Sequence, residues 1–412
     1  MTAPTGEAVA ATPPGWESLF APDAHERLTD LERALNAGSS AFSLGGRLRE
    51  QGVPGDEVAA LLTQLDLRRK ATSKFGEEAR RMLFTQAGLE QASRAAVARL
   101  HAYRFSNAGC RVVADLGCGI GSESKAFLAA GLGVHAVELD PFTARIAEHN
   151  LGVAVAGQPA AHALVTVGDA ETTPLSGCDA AFLDPARRTA GHRGTTRLTN
   201  PDDYSPSLGF AFGLAERMPV GVKLGPGFDR ELLPGDAEAQ WVSLDGQVVE
   251  TGIWFGALAR AGISRSALVM RGSETHELSA AADAEDVDVR PLGEYLYEPD
   301  GAVIRARLIG LLAEQLEAGM VSESIAYLTS DALTPTPFAQ AFRVLEQLPS
   351  SEKQLKRALS ERGIGTLEIK KRGTDVDPAT LRTRLRLKGP NSATLFLTRV
   401  AGKHTALIAE RM

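Results

Sequence analysis

The chain reads as an α/β protein with a mostly parallel central sheet, preceded by a helical region and followed by a small, basic α+β module. Three observations predict this. Between Arg111 and Leu224, short apolar runs (RVVADL, GVHAVEL, HALVTV, DAAFL, PVGVKL) alternate with helical or loop stretches, as strands buried on both faces do. Upstream, apolar residues recur every three or four positions. Downstream of residues 281–300, which carry seven acids and one arginine, segments of alternating apolar and basic residues take over.

With 412 residues the chain has room for two or three domains. Its 44% hydrophobic and 23% charged composition is that of a soluble globular protein, and a net charge of -7 provides no global field for nucleic acid or membrane. The three cysteines, Cys110, Cys118 and Cys178, form no CxxC pair, so neither a disulfide scaffold nor a zinc site is expected, and no metal is assigned. The N-terminus lacks a basic segment followed by an apolar core, and no run approaches transmembrane length, so a cytoplasmic location is expected.

In order along the chain, residues 1–15 are rich in Ala, Pro, Thr and Gly and read as a disordered tail. Residues 16–106 read as a helical N-terminal domain, with helical periodicity in EVAALLTQLDLRRKATSKFG and EEARRMLFTQAGLEQASRAAVARLHAYRF. Nine Lys/Arg against four Asp/Glu between Leu62 and Phe105 fit either a solvated face or a border with a polyanion. Residues 107–280 hold the α/β core. Its later strands are WVSLDGQVVETGIWFG, with a hairpin turn at Asp245-Gly246, and SALVMRG. Residues 281–345 read as a linker and helical connection. Residues 346–412 read as the basic α+β module, with a helix in SEKQLKRALSERG and strands in TLEIKKRG, LRTRLRLKG, SATLFLTRV and HTALIAE. Ser351–Lys388 carries eleven Lys/Arg against five Asp/Glu.

The strongest local signal is VVADLGCGIGSESKAFLAAGLGVHAVELD. A strand ends at Asp115, and Gly117, Gly119 and Gly121 then let the backbone turn sharply and approach a ligand. A second strand ends at Glu138, placed to accept hydrogen bonds from a ribose diol. A dinucleotide site normally has GxGxxG spacing. Here the spacing is DxGxGxG, and an acid before the first glycine disfavours phosphate and favours a cationic ligand. This arrangement resembles the class I S-adenosylmethionine-dependent methyltransferases. The resemblance implies a Rossmann-like core with a mostly parallel seven-stranded sheet. It implies S-adenosyl-L-methionine bound by Asp115, Gly117, Gly119, Gly121 and Glu138, with Asp169 of VTVGDAET near the adenine.

In that family the segment after the fourth strand, here 181-AFLDPARR-188, reaches the methyl acceptor. Asp184-Pro185 matches the polar part of the Asp/Asn-Pro-Pro-aromatic motif that methylates exocyclic amines, while Ala186-Arg187 replaces its second proline and aromatic. The catalytic candidates are Asp184, Pro185 and Arg187. Neither Cys118 nor Cys178 sits where a covalent pyrimidine adduct requires a nucleophile, so direct transfer is expected. Arg188, Arg193, Tyr204 and Lys223 are candidate substrate contacts, since Arg makes forked contacts and long polar connections at the ligand end of a sheet are often functional.

LDPARR, VKLGPG and GIGTLEIKKRG together resemble a bacterial family of class I methyltransferases with a C-terminal THUMP-like domain. The resemblance runs from about Leu62 onward and implies a structured RNA partner, tRNA or rRNA. Lys370, Lys371, Arg372, Arg384, Arg386 and Lys388 would be its phosphate contacts. A small-molecule methyltransferase and a non-catalytic RNA-binding protein that keeps the fold are the alternatives.

Overall fold

The computed structural model describes residues 12–156, 162–187 and 204–412, in two compact units. The first comprises Met1–Lys223 and Trp254–Leu258. It begins with helices Ala24–Asn36, Ala41–Glu50, Gly55–Phe75, Gln86–Gln91 and Ala95–Asn107. These helices do not form a core of their own. Leu61, Phe75, Met82 and Phe84 share one apolar cluster with Ile120, Phe142 and Ile146 of the α/β part. Two buried amides pin the chain between Phe75 and Gln86. The Gln64 side chain donates to the Phe84 carbonyl (2.6 Å) and accepts from the Phe84 amide (3.1 Å). Asn150 does the same for Leu83, at 3.0 and 2.8 Å. Each satisfies backbone groups that no regular element pairs.

The α/β part follows, with strands β1 (Val112–Leu116), β2 (Gly133–Glu138), β3 (Ala163–Val167), β4 (Ala180–Leu183), β5 (Ala186–Arg187), β6 (Tyr204–Ser205) and β7 (Val220–Leu224). β3, β2, β1, β4 and β7 pair in that order and all in parallel. Their carboxyl ends therefore line one edge, where ligands bind in open α/β sheets. β5 and β6 form a separate two-residue antiparallel ribbon.

The later strands are β8 (Glu238–Leu244), β9 (Gln247–Phe255), β10 (Arg265–Arg271) and β11 (Glu274–Ala280). With them the sheet is nine-stranded and mixed, in the order β11-β10-β8-β9-β7-β4-β1-β2-β3. This corrects the expected mostly parallel, seven-stranded sheet. Tight turns cause the difference. Asp245 (φ 50°) and Gly246 (φ 81°) reverse the chain as expected, and Gly272 (φ 57°) makes a second hairpin between β10 and β11. β11 (ETHELSA) is mostly polar and only partly buried, so it carries no apolar run to mark it.

The second unit comprises Leu224–Ile253 and Ala259–Met412. Its further strands are β12 (Tyr295–Pro299), β13 (Gly319–Met320), β14 (Leu328–Ser330), β15 (Ala339–Leu348), β16 (Ile364–Lys371), β17 (Asn391–Val400) and β18 (Lys403–Arg411). They form one sheet, β13-β14-β12-β15-β18-β17-β16, antiparallel except between β16 and β17. Residues 281–345 are thus not a linker. They supply β12, β13, β14 and most of β15. Their helices Gly301–Arg305 and Ile309–Gln315 bury Val303 and Leu312 in one cluster with Trp241, Ala267 and Val269.

LRTRLRLKG is likewise not a strand. Residues Pro378–Leu385 are a helix, capped by the Asp377 side chain, which accepts from the Thr380 amide at 2.7 Å. Pro378 at its first position and Arg386 in the left-handed conformation (φ 48°) bound it. Leu381 and Leu385, one turn apart, face the same cluster as Leu355, Leu359, Leu367 and Leu395. The residues' alternation suits a strand, and their i, i+4 spacing suits a helix. The cap decides for the helix.

Candidate active site

At the carboxyl edge of the parallel strands lies a cleft of about 270 Å³. The sequence explains why it opens there. Gly117 (φ 83°), Gly119 (φ 55°) and Gly121 (φ 81°) all take backbone conformations closed to ordinary side chains, so the chain leaves β1, turns and enters helix Ser122–Ala129 within a few residues. The turn is tied to the next strand: the Gly117 and Cys118 amides donate to the Val137 carbonyl, at 2.9 and 3.1 Å. Glu138, at the end of β2, accepts from the Gly119 amide on Oε2 and the Asp140 amide on Oε1, both at 3.0 Å. Its carboxylate is thereby oriented, with lone pairs left for a diol.

The lining carries five acids, Asp115, Glu123, Glu138, Asp169 and Asp184, against one lysine, Lys223. Asp115 is almost wholly buried and accepts from Ser124 Oγ at 2.5 Å. Burial above all, with repulsion from Glu123 and Asp184, pushes its carboxyl up to about 7 against the pull of Ser124 and Lys223. Burial also pushes up the Glu138 carboxyl. Asp169 is exposed and fixes its own turn, its Oδ1 accepting from the Glu171 amide at 2.9 Å. Leu139, 61% exposed, adds an apolar wall.

These residues fit S-adenosylmethionine. An acidic cradle suits its sulfonium and ammonium charges, Glu138 suits the ribose hydroxyls, and Leu139 suits a purine face. Asp115, Gly117, Gly119, Glu138 and Asp169, all expected, come together here. Gly121 does not line the cleft; it begins the helix behind it.

Asp184 follows β4, and its Oδ2 lies 2.5 Å from Lys223 Nζ. Lys223, expected as a substrate contact, is therefore first of all the partner of Asp184, and its side chain is only 11% exposed. Pro185 is buried beside Asp184. Arg187 lies in β5, opposite Tyr204, and its side chain falls outside the described residues, as do Arg188 and Arg193 entirely. Tyr204, at 5% exposure, packs rather than offering a stacking face.

The sequence reading missed Gly88, Gln91, Ala92 and Ser93, which bring the helical region into the cleft wall, and Glu123 with its partner His101. Only the capping pattern around Thr85 hinted that the chain turns there.

In the C-terminal module, Lys370 pairs with Glu298 (2.5 Å) and Glu368 (3.6 Å), and Arg384 with Glu352 (3.1 Å). The Arg372 guanidinium lies over the Tyr327 ring. Lys371, Arg386 and Lys388 are exposed and enter no ion pair among the described residues. Among the described residues no helix is long and apolar enough to cross a membrane.

Residues 339–411 match a family described as THUMP domain-like, and residues 12–71 match a domain of unknown function. Uncharacterised S-adenosylmethionine-dependent methyltransferases from two strains of Mycobacterium tuberculosis are each 34% identical over 354 residues, 84% of this chain and 94% of theirs. The crystal structure of a putative methyltransferase from Porphyromonas gingivalis superposes with a TM-score of 0.76 at 21% identity, covering 95% of this chain and 99% of that one. With an acidic, glycine-turned cleft that suits the cofactor, the chain belongs to the S-adenosylmethionine-dependent methyltransferases, in the form that carries a C-terminal THUMP-like domain.

Proposed function

We propose that the enzyme methylates a base of structured RNA, tRNA or rRNA, by direct transfer without a cysteine adduct. The observation that carries the RNA reading is the THUMP-like module, which presents Lys371, Arg386 and Lys388 to solvent. A few such contacts give salt-dependent binding without sequence preference.

The bound cofactor supplies an electrophilic methyl group on its sulfonium. Asp115 and Glu138 would hold the cofactor at its charged and ribose ends, and Asp184 would face the acceptor nitrogen or oxygen, its carboxylate placed to take that atom's proton or a hydrogen bond from it. Two features speak against a thiolate nucleophile. Burial, with Asp115 and Glu138 nearby, pushes the Cys118 thiol well above its usual value. Cys178 is absent from the cleft lining, and its Sγ lies 3.9 Å from His135 Nδ1.

The direct test is incubation with methyl-labelled cofactor and unmodified total RNA, followed by mass mapping of the labelled nucleoside. Label in one nucleoside, lost in Asp184→Ala, is the expected result. Label in small metabolites and none in RNA would overturn the reading.

A further inference from the structure

The cleft holds more ionisable groups than a cofactor requires, and the surplus gathers around one lysine. Lys223 reaches Asp184 Oδ2 at 2.5 Å and Ser93 Oγ at 3.0 Å. Ser93, which is buried, lies just before helix Ala95–Asn107. Burial pushes the Glu123 carboxyl up, but His101, Lys223 and Ser93 outweigh it and keep the group below its usual range. Glu123 Oε2 lies 3.1 Å from His101 Nδ1, with both side chains buried. The His101 ring is itself set against Phe182 and Trp254. A polar chain therefore runs from Asp184 through Lys223 to Ser93, and the buried Glu123–His101 pair lies in electrostatic reach of Lys223.

Such a chain is costly to bury and would be easily replaced by apolar residues if it served only packing. Its outer end is the Asp184 carboxylate, just beyond β4. A lone aspartate at a strand end rotates about two side-chain bonds. A buried ammonium at 2.5 Å removes that freedom and favours the ionised form. Lys223 is in turn held by Ser93, whose hydroxyl oxygen accepts a hydrogen bond from it, with the Glu123 carboxylate in electrostatic reach.

We infer that Lys223 is a positioning residue that holds Asp184 toward the acceptor, and that Ser93 and the Glu123–His101 pair hold Lys223. This rests on the placement of Asp184 on the acceptor side. Two of the five groups, Ser93 and His101, come from the helical N-terminal region, so that region completes the acceptor side of the cleft. Lys74 supports the arrangement. Its Nζ donates to the carbonyls of Leu89, Glu90 and Ala92, at 2.6, 2.9 and 2.9 Å, and so fixes the loop that delivers Ser93.

The test reads Asp184 itself, and needs no acceptor. In full-length protein labelled at the aspartate carboxyl carbon, the Asp184 resonance is identified by its loss in Asp184→Asn, and its titration is followed by NMR. The groups around it are Asp115 from β1 and Lys223 from β7, with Glu123 from helix Ser122–Ala129 in electrostatic reach of Lys223, and Lys74 and Arg94 in electrostatic reach of one another and, for Lys74, of Lys223. Lys223→Met should raise the Asp184 midpoint by about one unit or more, a tenfold gain in proton affinity, and Lys223→Arg should restore most of it. Ser93→Ala should shift it in the same direction by less. An unmoved midpoint in folded Lys223→Met overturns the inference. Should that variant not fold, an unmoved midpoint in Ser93→Ala does so. Methylation of total RNA is measured in parallel. A shifted midpoint without RNA methylation retires the RNA reading and keeps the positioning role; an unmoved midpoint with RNA methylation does the reverse.

Discussion

Asp115 stands where the fold and the cofactor make opposite demands. Its carboxyl titrates near 7 because burial penalises the charge, whereas an ammonium or sulfonium ligand needs the charge present. A raised carboxylate means that the folded state binds more protons than the unfolded one between the ordinary carboxylate range and about 7. Stability from this group is therefore present at low pH and lost as pH rises to about 7. Asp115→Asn should remove that penalty, raising the unfolding free energy of the cofactor-free protein at pH 8 by about 1–3 kcal/mol and leaving it nearly unchanged at pH 4, as denaturant melts at the two values would show. The same variant should bind S-adenosylmethionine more weakly by calorimetry. Glu138→Ala should cost about tenfold or more in affinity for adenosyl ligands, because a charged acceptor worth about 1.5–3 kcal/mol is lost. At this scale the cleft lining around the glycine turn was legible, since strand ends and glycines bring Asp115, Gly117, Gly119 and Glu138 to one edge of the sheet. Ser93, Glu123 and His101 were not. They lie on three separate stretches of chain, and only the folded core brings them to Lys223.

Among the elements, the short loop after helix Gln86–Gln91 is held mainly by the three carbonyls that surround Lys74. Lys74→Met leaves those carbonyls without a donor. It should destabilise the protein by about 1–3 kcal/mol and weaken cofactor binding, both measurable by thermal melts with and without ligand. In the C-terminal module, Asp377→Ala removes the cap of helix Pro378–Leu385 and should cost about 1 kcal/mol. That helix shows why some elements were misread. Leu385 and Leu387 satisfy a strand's alternation while Leu381 and Leu385 satisfy a helix's spacing, and the deciding features are the single side chain of Asp377 and the proline after it. β11 was missed for the opposite reason: an edge strand open to solvent on one side needs few apolar residues. The central parallel strands β1, β4 and β7, almost wholly buried, left no such choice.

For the molecule as a whole, the boundaries drawn from composition were the least legible feature, because acidic residues mark exposure and not separation. The segment 281–345, acidic at its start, is woven into the C-terminal sheet. The THUMP-like match begins at Ala339, yet β15 pairs with β12 on one side, and Phe342, Phe396 and Leu407 share a cluster with Leu296, Val321 and Tyr327. A fragment of residues 339–412 should therefore bind a hydrophobic dye and melt without cooperativity. A fragment that begins at residue 224 keeps those partners, and should melt more sharply in the same experiment. Connectivity gives the β5–β6 ribbon a consequence of its own. By pairing Ala186-Arg187 with Tyr204-Ser205, it ties the chain just after Asp184 to the chain just before Pro206. Ala186 and Ser205 both line the cleft. Two stretches distant in sequence thus border the cleft as one unit, and a change at either is felt at the other.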